Sequence, residues 1–285
     1  MRVLVAIDES KKSNVALQYA CHLLAQYPRA RLDALHVKRE ETDIAPESFY
    51  SPFVDREDVI RWMNTQVEEI KEQAETTCDV HTGRKVPYWT RVVAGDPAEE
   101  ILSSAHIGNY DLIVLGSNER SALRGFLMGT VHSKVLHHTR HPVLIVRDFR
   151  PIRRVLVAYR GSQCDQGALQ FIAPLLIEVK PEITILYVRE PASRESTEFG
   201  QSCLLHGEQT LKQFSHAPTT KSAEGDFVDE ILKEAEAGNH DLIVMAAYWY
   251  ARPKFLQTIT DEALNLVRST RIPVLVYRDR GTDKD

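Results

Sequence analysis

Short apolar runs alternate with longer amphipathic stretches along the whole chain. The runs are rich in β-branched residues, which is typical of buried strands in a parallel sheet. In the N-terminal half they predict strands at Val3–Ile7, Leu32–Val37, Tyr88–Val93, Leu112–Leu115 and Val143–Val146. In the C-terminal half they predict strands at Val155–Tyr159, Thr184–Val188, Thr219–Ala223, Leu242–Ala246 and Val274–Tyr277. The run at 219–223 carries the weakest signal.

The stretches between these runs carry helix signals. Ser10 is positioned to cap a first helix with one apolar face, and Pro28 ends that helix. A polar stretch over 39–55 predicts a long loop, which a second helix follows over 56–77.

Later helix signals are more local. Asp96 followed by Pro97 is a typical helix start, and a further helix is predicted over 130–138. In the C-terminal half, Pro174 lies inside the first helical pattern, so we expect a kink there.

The chain repeats itself at long range. Asp111–Leu115 returns as Asp241–Met245, at an offset of 130 residues (241 − 111 = 130). A period this long indicates a duplicated domain rather than a solenoid. Because strands and helices alternate in both copies, the sequence predicts two α/β domains, 1–149 and 152–285. Each is expected to be an open, doubly wound five-stranded parallel sheet flanked by helices.

Composition narrows the function classes. The net charge of −5 gives no global basic field for nucleic acid, and no apolar run is long enough for a membrane helix. Asp8 and Glu9 interrupt the first apolar run too early for a signal peptide, so a cytoplasmic protein is expected. None of the four cysteines lies in a CxxC motif, which favours free thiols in a reducing compartment. Cys164 is expected in an exposed loop.

Doubly wound sheets bind ligands beyond the carboxyl ends of their strands. In the N-terminal half these ends carry Asp8, then Gly116 with Ser117, while Gly129 and Thr130 start a predicted helix whose free N–H groups favour phosphate. Two arginines nearby offer charge-assisted contacts. They are Arg120 and Arg124. The alternative is that the glycines only turn the chain and that the arginines are solvated.

At this point the residues resemble the universal stress protein family, as a tandem of two domains. The diagnostic segment is a strand, then Gly-x2-Gly-x9-Gly-Ser/Thr, then a helix and a strand introduced by Pro-Val. Gly116 takes the first glycine position and Gly129-Thr130 the last pair, while Glu119 replaces the middle glycine. The resemblance implies an adenine-nucleotide alpha-hydrolase-like fold.

The resemblance also implies roles in ATP binding. Ala6, Ile7 and Asp8 would flank the adenosine, and Val37 would contact adenine through its backbone. Further positions would lie along the ribose and phosphates: Gly116, Ser117, Gly129, Thr130 and, at the helix start, Val131. Glu119 weakens this expectation, because a carboxylate near phosphate costs roughly 1 kcal/mol in water and ~4 kcal/mol at a protein surface. A magnesium ion shared with the phosphates would reverse that effect.

The C-terminal copy departs further from the pattern. Arg160 replaces Asp8, Ala246 replaces Gly116, and Trp249 replaces Glu119. The aromatic residues Tyr248 to Tyr250 would crowd the cleft, so the second copy is not expected to bind ATP in the family manner. They could instead pack at the domain interface or line an apolar, lipid-like ligand site.

Four histidines lie close together in the sequence, where a metal site is one interpretation and solvated helix-end histidines another. They are His132, His137, His138 and His141. No catalytic set is visible, so an enzyme is not expected beyond a slow ATPase. The resemblance favours a stress-response or regulatory protein, and it implies that the two copies form an internal pseudo-dimer paired through their fifth strands. Three alternatives stay open. The protein could form a further homodimer, it could bind an unknown protein partner, or it could be an interaction module that binds no nucleotide.

Overall fold

The structure is a computed structural model. It describes residues 1–25, 27, 29–38, 56–82, 86–117, 130–191, 193, 195–247 and 262–278, without the side chains of 56–60, 62, 63, 82 and 130. The long loop predicted over 39–55 lies outside this part of the chain.

All ten predicted strands are confirmed. The N-terminal half contains β1 (Arg2–Ile7), β2 (Arg31–Lys38), β3 (Tyr88–Ala94), β4 (Leu112–Gly116) and β5 (Val143–Val146). The C-terminal half contains β6 (Arg154–Ala158), β7 (Glu182–Arg189), β8 (Thr219–Glu224), β9 (Leu242–Ala246) and β10 (Val274–Tyr277). The weak signal of β8 has a physical cause, since β8 is an edge strand with mostly exposed polar residues.

Helices fill the connections. They are α1 (Lys11–Leu24), α2 (Arg56–Thr82), α3 (Pro97–Ile107), α4 (Thr130–His138), α5 (Gln163–Leu176), α6 (Thr197–Lys212), α7 (Phe227–Ala237) and α8 (Glu262–Ser269). The predicted Ser10 cap is confirmed, because its side chain accepts a hydrogen bond from the Ser13 N–H. The predicted end of α2 is wrong by about a turn and a half. The helix continues through the buried Cys78 to Thr82, directly before Gly83.

The start of α5 decides the environment of Cys164. Ser162 and Asp165 form a capping box, so the helix begins at Gln163 and places Cys164 in its first turn. Cys164 is buried there, and the expectation of an exposed loop is wrong. The helix runs through Pro174 and ends two residues later, so the proline lies in the last turn.

The sheet runs without a break through both halves. Its strand order is β3-β2-β1-β4-β5-β10-β9-β6-β7-β8, and every pair within either half is parallel, as predicted. The two halves meet through β5 and β10, which pair antiparallel in the register Leu144↔Leu275. Two strand edges that would otherwise be exposed are thereby covered. The pairing through the fifth strands is confirmed, and it unites the two predicted sheets into one.

Helices cover both faces of this sheet. One core contains residues of α1, α2, α5 and α6, and the other contains residues of α3, α4, α7 and α8. Arg278 of the C-terminal half is buried and donates from Nη2 to the carbonyl of Leu136 on α4, at 2.9 Å. The halves therefore share hydrogen bonds outside the sheet as well.

None of the helices within the described residues is long and apolar enough to cross a membrane.

Candidate functional site

The candidate site lies where the strand order reverses in the N-terminal half. The chain passes from β1 to its neighbour β2 on one side, and later enters β4 on the other side of β1. The crevice beyond the carboxyl ends of β1 and β4 is the usual ligand position in such sheets. Helices α1 and α4 both begin at this edge.

The loop after β1 is held by local hydrogen bonds. The Asp8 N–H donates to Ser13 Oγ at 3.1 Å, and the Ser13 hydroxyl donates to the Asp8 carbonyl at 2.8 Å. The Asp8 carboxylate accepts from the Ser10 N–H at 3.0 Å and stays exposed. A fixed carboxylate at the mouth of the crevice can accept hydrogen bonds from a ligand.

The second strand supplies the apolar side of the site. Val37 is half-buried at the end of β2 and packs against the core beside Leu35. The neighbouring His36 is buried, and its Nδ1 lies 3.0 Å from the Ile7 carbonyl. This bond ties the ends of β1 and β2 together.

Gly116 ends β4 directly beneath the first turn of α1. A Cβ atom at this position would lie 2.3 Å from the Lys12 carbonyl oxygen and 2.7 Å from the Ser13 nitrogen. The glycine therefore has a packing reason that does not involve a ligand. It lets α1 approach the sheet at the crevice.

Ser117 follows Gly116 and is almost completely buried, at 1% exposure. Its N–H donates to the Val146 carbonyl at 2.9 Å, but among the described residues its Oγ has no hydrogen-bond partner. A buried hydroxyl without a partner costs about 1–3 kcal/mol, so such groups usually have a reason to persist.

His132, in the first turn of α4, reaches the same strand end. Its Nε2 lies 2.7 Å from the Gly116 carbonyl, and its Nδ1 is buried with no hydrogen-bond partner in the part of the chain that the structure describes. Burial lowers the pKa of His132, and the positive charge of Arg147 lowers it further. The hydrogen bond to the Gly116 carbonyl and the negative charge of Asp8 raise it. The net shift is downward, so the imidazole is neutral at pH 7.

Positive charge lines the adjoining end of β5. Arg147 is 3% exposed, and its carbonyl accepts a hydrogen bond from Lys12 Nζ at 2.8 Å. Lys12 also pairs with Asp148 at 2.8 Å. These contacts fasten the start of α1 to the end of β5.

The predicted site residues divide into two groups. The structure places Ala6, Ile7, Asp8, Val37, Gly116, Ser117 and Val131, with the helix start at Thr130, along one edge. Arg120 and Gly129 lie outside the described residues, as do Glu119 and Arg124.

Sequence reasoning missed the contact between His132 and Gly116. It grouped this residue with three other histidines, and solvation is wrong for His132, which contacts Gly116, and for the buried His141. His137 and His138 are exposed, as expected. The signal that singles out His132 is its position directly after the Gly129-Thr130-Val131 motif. Within the described residues, no group of three potential ligands forms a metal site.

In the C-terminal half, the residue equivalent to Asp8 is paired with the start of α8. Arg160 follows β6, as Asp8 follows β1, and its guanidinium forms a two-point ion pair with Glu262 at the start of α8. The same guanidinium lies 3.7 Å from the centroid of the Phe227 ring. Burial lowers the pKa of Arg160, but the hydrogen bond and charge of Glu262 outweigh it and raise the pKa overall.

The two unpartnered polar groups of the first site have no counterparts in the second. Ala247 donates its N–H to the Tyr277 carbonyl at 2.9 Å, as Ser117 does to Val146, so alanine stands at the serine position. Ala263 stands at the His132 position, as aligned by the matching Thr139 and Thr270 turns. Tyr248, Trp249 and Tyr250 lie outside the described residues.

Comparison with known proteins decides the family. The profile of the "Universal stress protein family" matches residues 1–147 and again residues 151–278. The chain belongs to the universal stress protein family. Its two matched regions contain the two five-stranded halves of the sheet, so the tandem organisation predicted from the repeat is confirmed.

Relatives match either one family domain or both. The universal stress protein YxiE of Bacillus subtilis is 37% identical over 153 residues, which cover 51% of this chain and 98% of the relative. A universal stress protein of Synechocystis is 27% identical over 60% of this chain and 59% of its own length. A crystal structure of a universal stress protein from Archaeoglobus fulgidus covers 98% of both chains, with a TM-score of 0.76 at 21% identity. The last comparison supports the tandem fold.

Proposed function

We propose that the N-terminal half binds an adenine nucleotide and that the C-terminal half is its structural partner, in a protein of stress response or regulation. The Ser117 hydroxyl, buried and without a hydrogen-bond partner among the described residues, is the observation that carries this proposal. It lies at the switch point of the sheet, beside the start of α4, where free N–H groups and the helix dipole favour phosphate. A ligand there would give the Ser117 hydroxyl the hydrogen-bond partner that the described residues do not supply.

In this proposal Ala6, Ile7 and Asp8 flank the adenosine, and Val37 contacts adenine. The phosphates lie along Gly116 and Ser117 and at the start of α4, with Arg120 and Gly129 to Val131 contributing. Magnesium would enter with the phosphates of ATP, and the residues of this chain would hold the nucleotide rather than the ion.

The C-terminal cleft supports the second part of the proposal. The Glu262 carboxylate lies at the start of α8, the position at which a phosphate would be bound in the other half. Arg160 already neutralises it, and the pair would have to break before an anion could enter. We therefore expect one nucleotide per chain at most.

The test is ATP with magnesium in thermal unfolding and titration calorimetry. Binding is expected to raise the melting temperature, since a ligand at a hundred times its Kd adds about 2.7 kcal/mol to the free energy of unfolding. No shift at millimolar ATP, together with no nucleotide in the purified protein, would refute the proposal.

Ser117→Ala is the informative variant, because the fold already accepts alanine at the equivalent Ala247. Without ligand its stability should be unchanged or up to about 1 kcal/mol higher, since an unsatisfied hydroxyl is removed. Its affinity for ATP should be lower. The matched control Ala247→Ser should leave ATP binding unchanged.

The second candidate is an interaction module that binds no nucleotide. The packing of α1 against Gly116 favours it, because that glycine is required by the fold alone. This candidate predicts that ATP does not change the melting curve of the native protein or of the Ser117→Ala variant. Nucleotide bound to the purified protein would exclude it.

A further inference from the structure

We propose that His132 is a further ligand-binding residue of the N-terminal site, and that it takes up a proton when the phosphate groups bind. This inference rests on the proposed nucleotide site. It adds a coupling between nucleotide affinity and pH.

The hydrogen bond to Gly116 fixes the tautomer of His132. A carbonyl can only accept, so Nε2, at 2.7 Å from the Gly116 oxygen, carries the hydrogen. The second nitrogen, Nδ1, then presents a lone pair. It is buried and has no hydrogen-bond partner within the described residues, as is also true of Oγ of Ser117, the residue after Gly116. Two unsatisfied polar atoms thus flank the same glycine.

The fold does not require either of these groups. Ala247 and Ala263 occupy the two equivalent positions in the C-terminal half, and Ala263 is 1% exposed, so an alanine packs well there. The half that carries the Arg160–Glu262 ion pair at this edge lacks both polar groups. This contrast indicates that packing of the core does not require the polar groups of Ser117 and His132, and that they bind a ligand in the cleft.

The surrounding charges keep the free imidazole neutral. Arg147, beyond β5, and burial lower the pKa of His132, while Asp8 on the loop after β1 and the Gly116 carbonyl at the end of β4 raise it. The start of α4 adds its positive dipole. A bound phosphate supplies the negative charge that this position lacks, and a negative charge within about 4–6 Å raises the pKa of a histidine.

The direction of the pH effect follows from these two states. The pKa of His132 lies below its ordinary value in the free protein. A bound phosphate would raise it. Between the two values binding takes up about one proton, so affinity falls up to tenfold for each unit by which the pH rises. Below or above this window His132 contributes no pH dependence.

Calorimetry of ATP with magnesium in buffers of different ionisation enthalpy counts the protons taken up. The comparison is wild type against His132→Gln, whose side-chain amide can still donate to the Gly116 carbonyl but has no titrating nitrogen. Protonation of ATP itself is common to both proteins and cancels in the difference. Wild type should take up more protons, and its affinity should fall more steeply as the pH rises.

Equal proton uptake by the two proteins, with normal binding by wild type, would overturn the role of His132 and leave the nucleotide site intact. Absence of any binding by wild type would overturn both. Melting of ligand-free His132→Gln, and of His132→Ala as a second variant chosen to match Ala263, checks that the fold is retained. Imidazole nitrogen chemical shifts of labelled protein give the protonation of His132 directly, and they should show a neutral ring without ligand and a charged ring with it.

Discussion

Gly116→Ala is the substitution that separates packing from ligand binding most clearly. The new Cβ would lie 2.3 Å from the Lys12 carbonyl oxygen, so α1 would have to retreat by about 0.7 Å to restore a 3.0 Å contact. The obstacle is helix backbone, which cannot rotate away as a flexible side chain can. Overpacking of this kind typically costs about 1–3 kcal/mol, and we expect the upper part of that range for the ligand-free protein.

The assay is urea unfolding followed by far-ultraviolet circular dichroism, without nucleotide. The matched control is Ala246→Gly at the equivalent end of β9, where a Cβ is already accommodated. That change should cost about 0.5–1 kcal/mol, through backbone freedom and the lost methyl group. If Gly116→Ala kept wild-type stability and only weakened ATP binding, α1 would not be the reason for the glycine.

Three other outcomes test separate parts of the structure. Glu262→Gln removes one partner of a half-exposed ion pair and should lower stability by about 1 kcal/mol at low salt, less at high salt, in the same urea assay. Burial lowers the pKa of His132 and His240 in the folded protein. As the pH drops below 6.5, the two imidazoles are protonated in the unfolded chain before they are protonated in the folded one, so the melting temperature should fall. Replacing both by glutamine should reduce that fall; an identical pH profile would contradict the assignment. All four thiols are buried, so a chromogenic disulfide reagent should react slowly with the native protein and rapidly with four thiols after denaturation.

The strands were predictable because a strand that is buried on both faces of a parallel sheet is an almost continuous run of apolar residues. Val143–Val146 is buried at every position, and its sequence shows it. The spacing of apolar residues does not predict where a helix ends once that spacing becomes irregular. In the last turns of α2, the only sequence signals are Cys78, which is buried in the structure, and the glycine after Thr82.

The site was predictable where topology alone places residues, as for Asp8 and Ser117 at the ends of neighbouring strands. Side-chain direction was not predictable. Nothing in the spacing of four histidines shows that His132 turns back to Gly116 while His138 faces solvent. The sequence around Arg160 does not reveal its ion-pair partner either, since Glu262 lies 102 residues further along the chain.

The antiparallel contact between β5 and β10 has a consequence for how this protein can change over generations. In a homodimer built on such a contact, every substitution appears in both clefts at once, and dilution separates the partners. Here the partners are one polypeptide, so they remain together at any concentration, and a codon change alters a single cleft. One half is therefore free to exchange a carboxylate for an arginine after its first strand without any loss to the other.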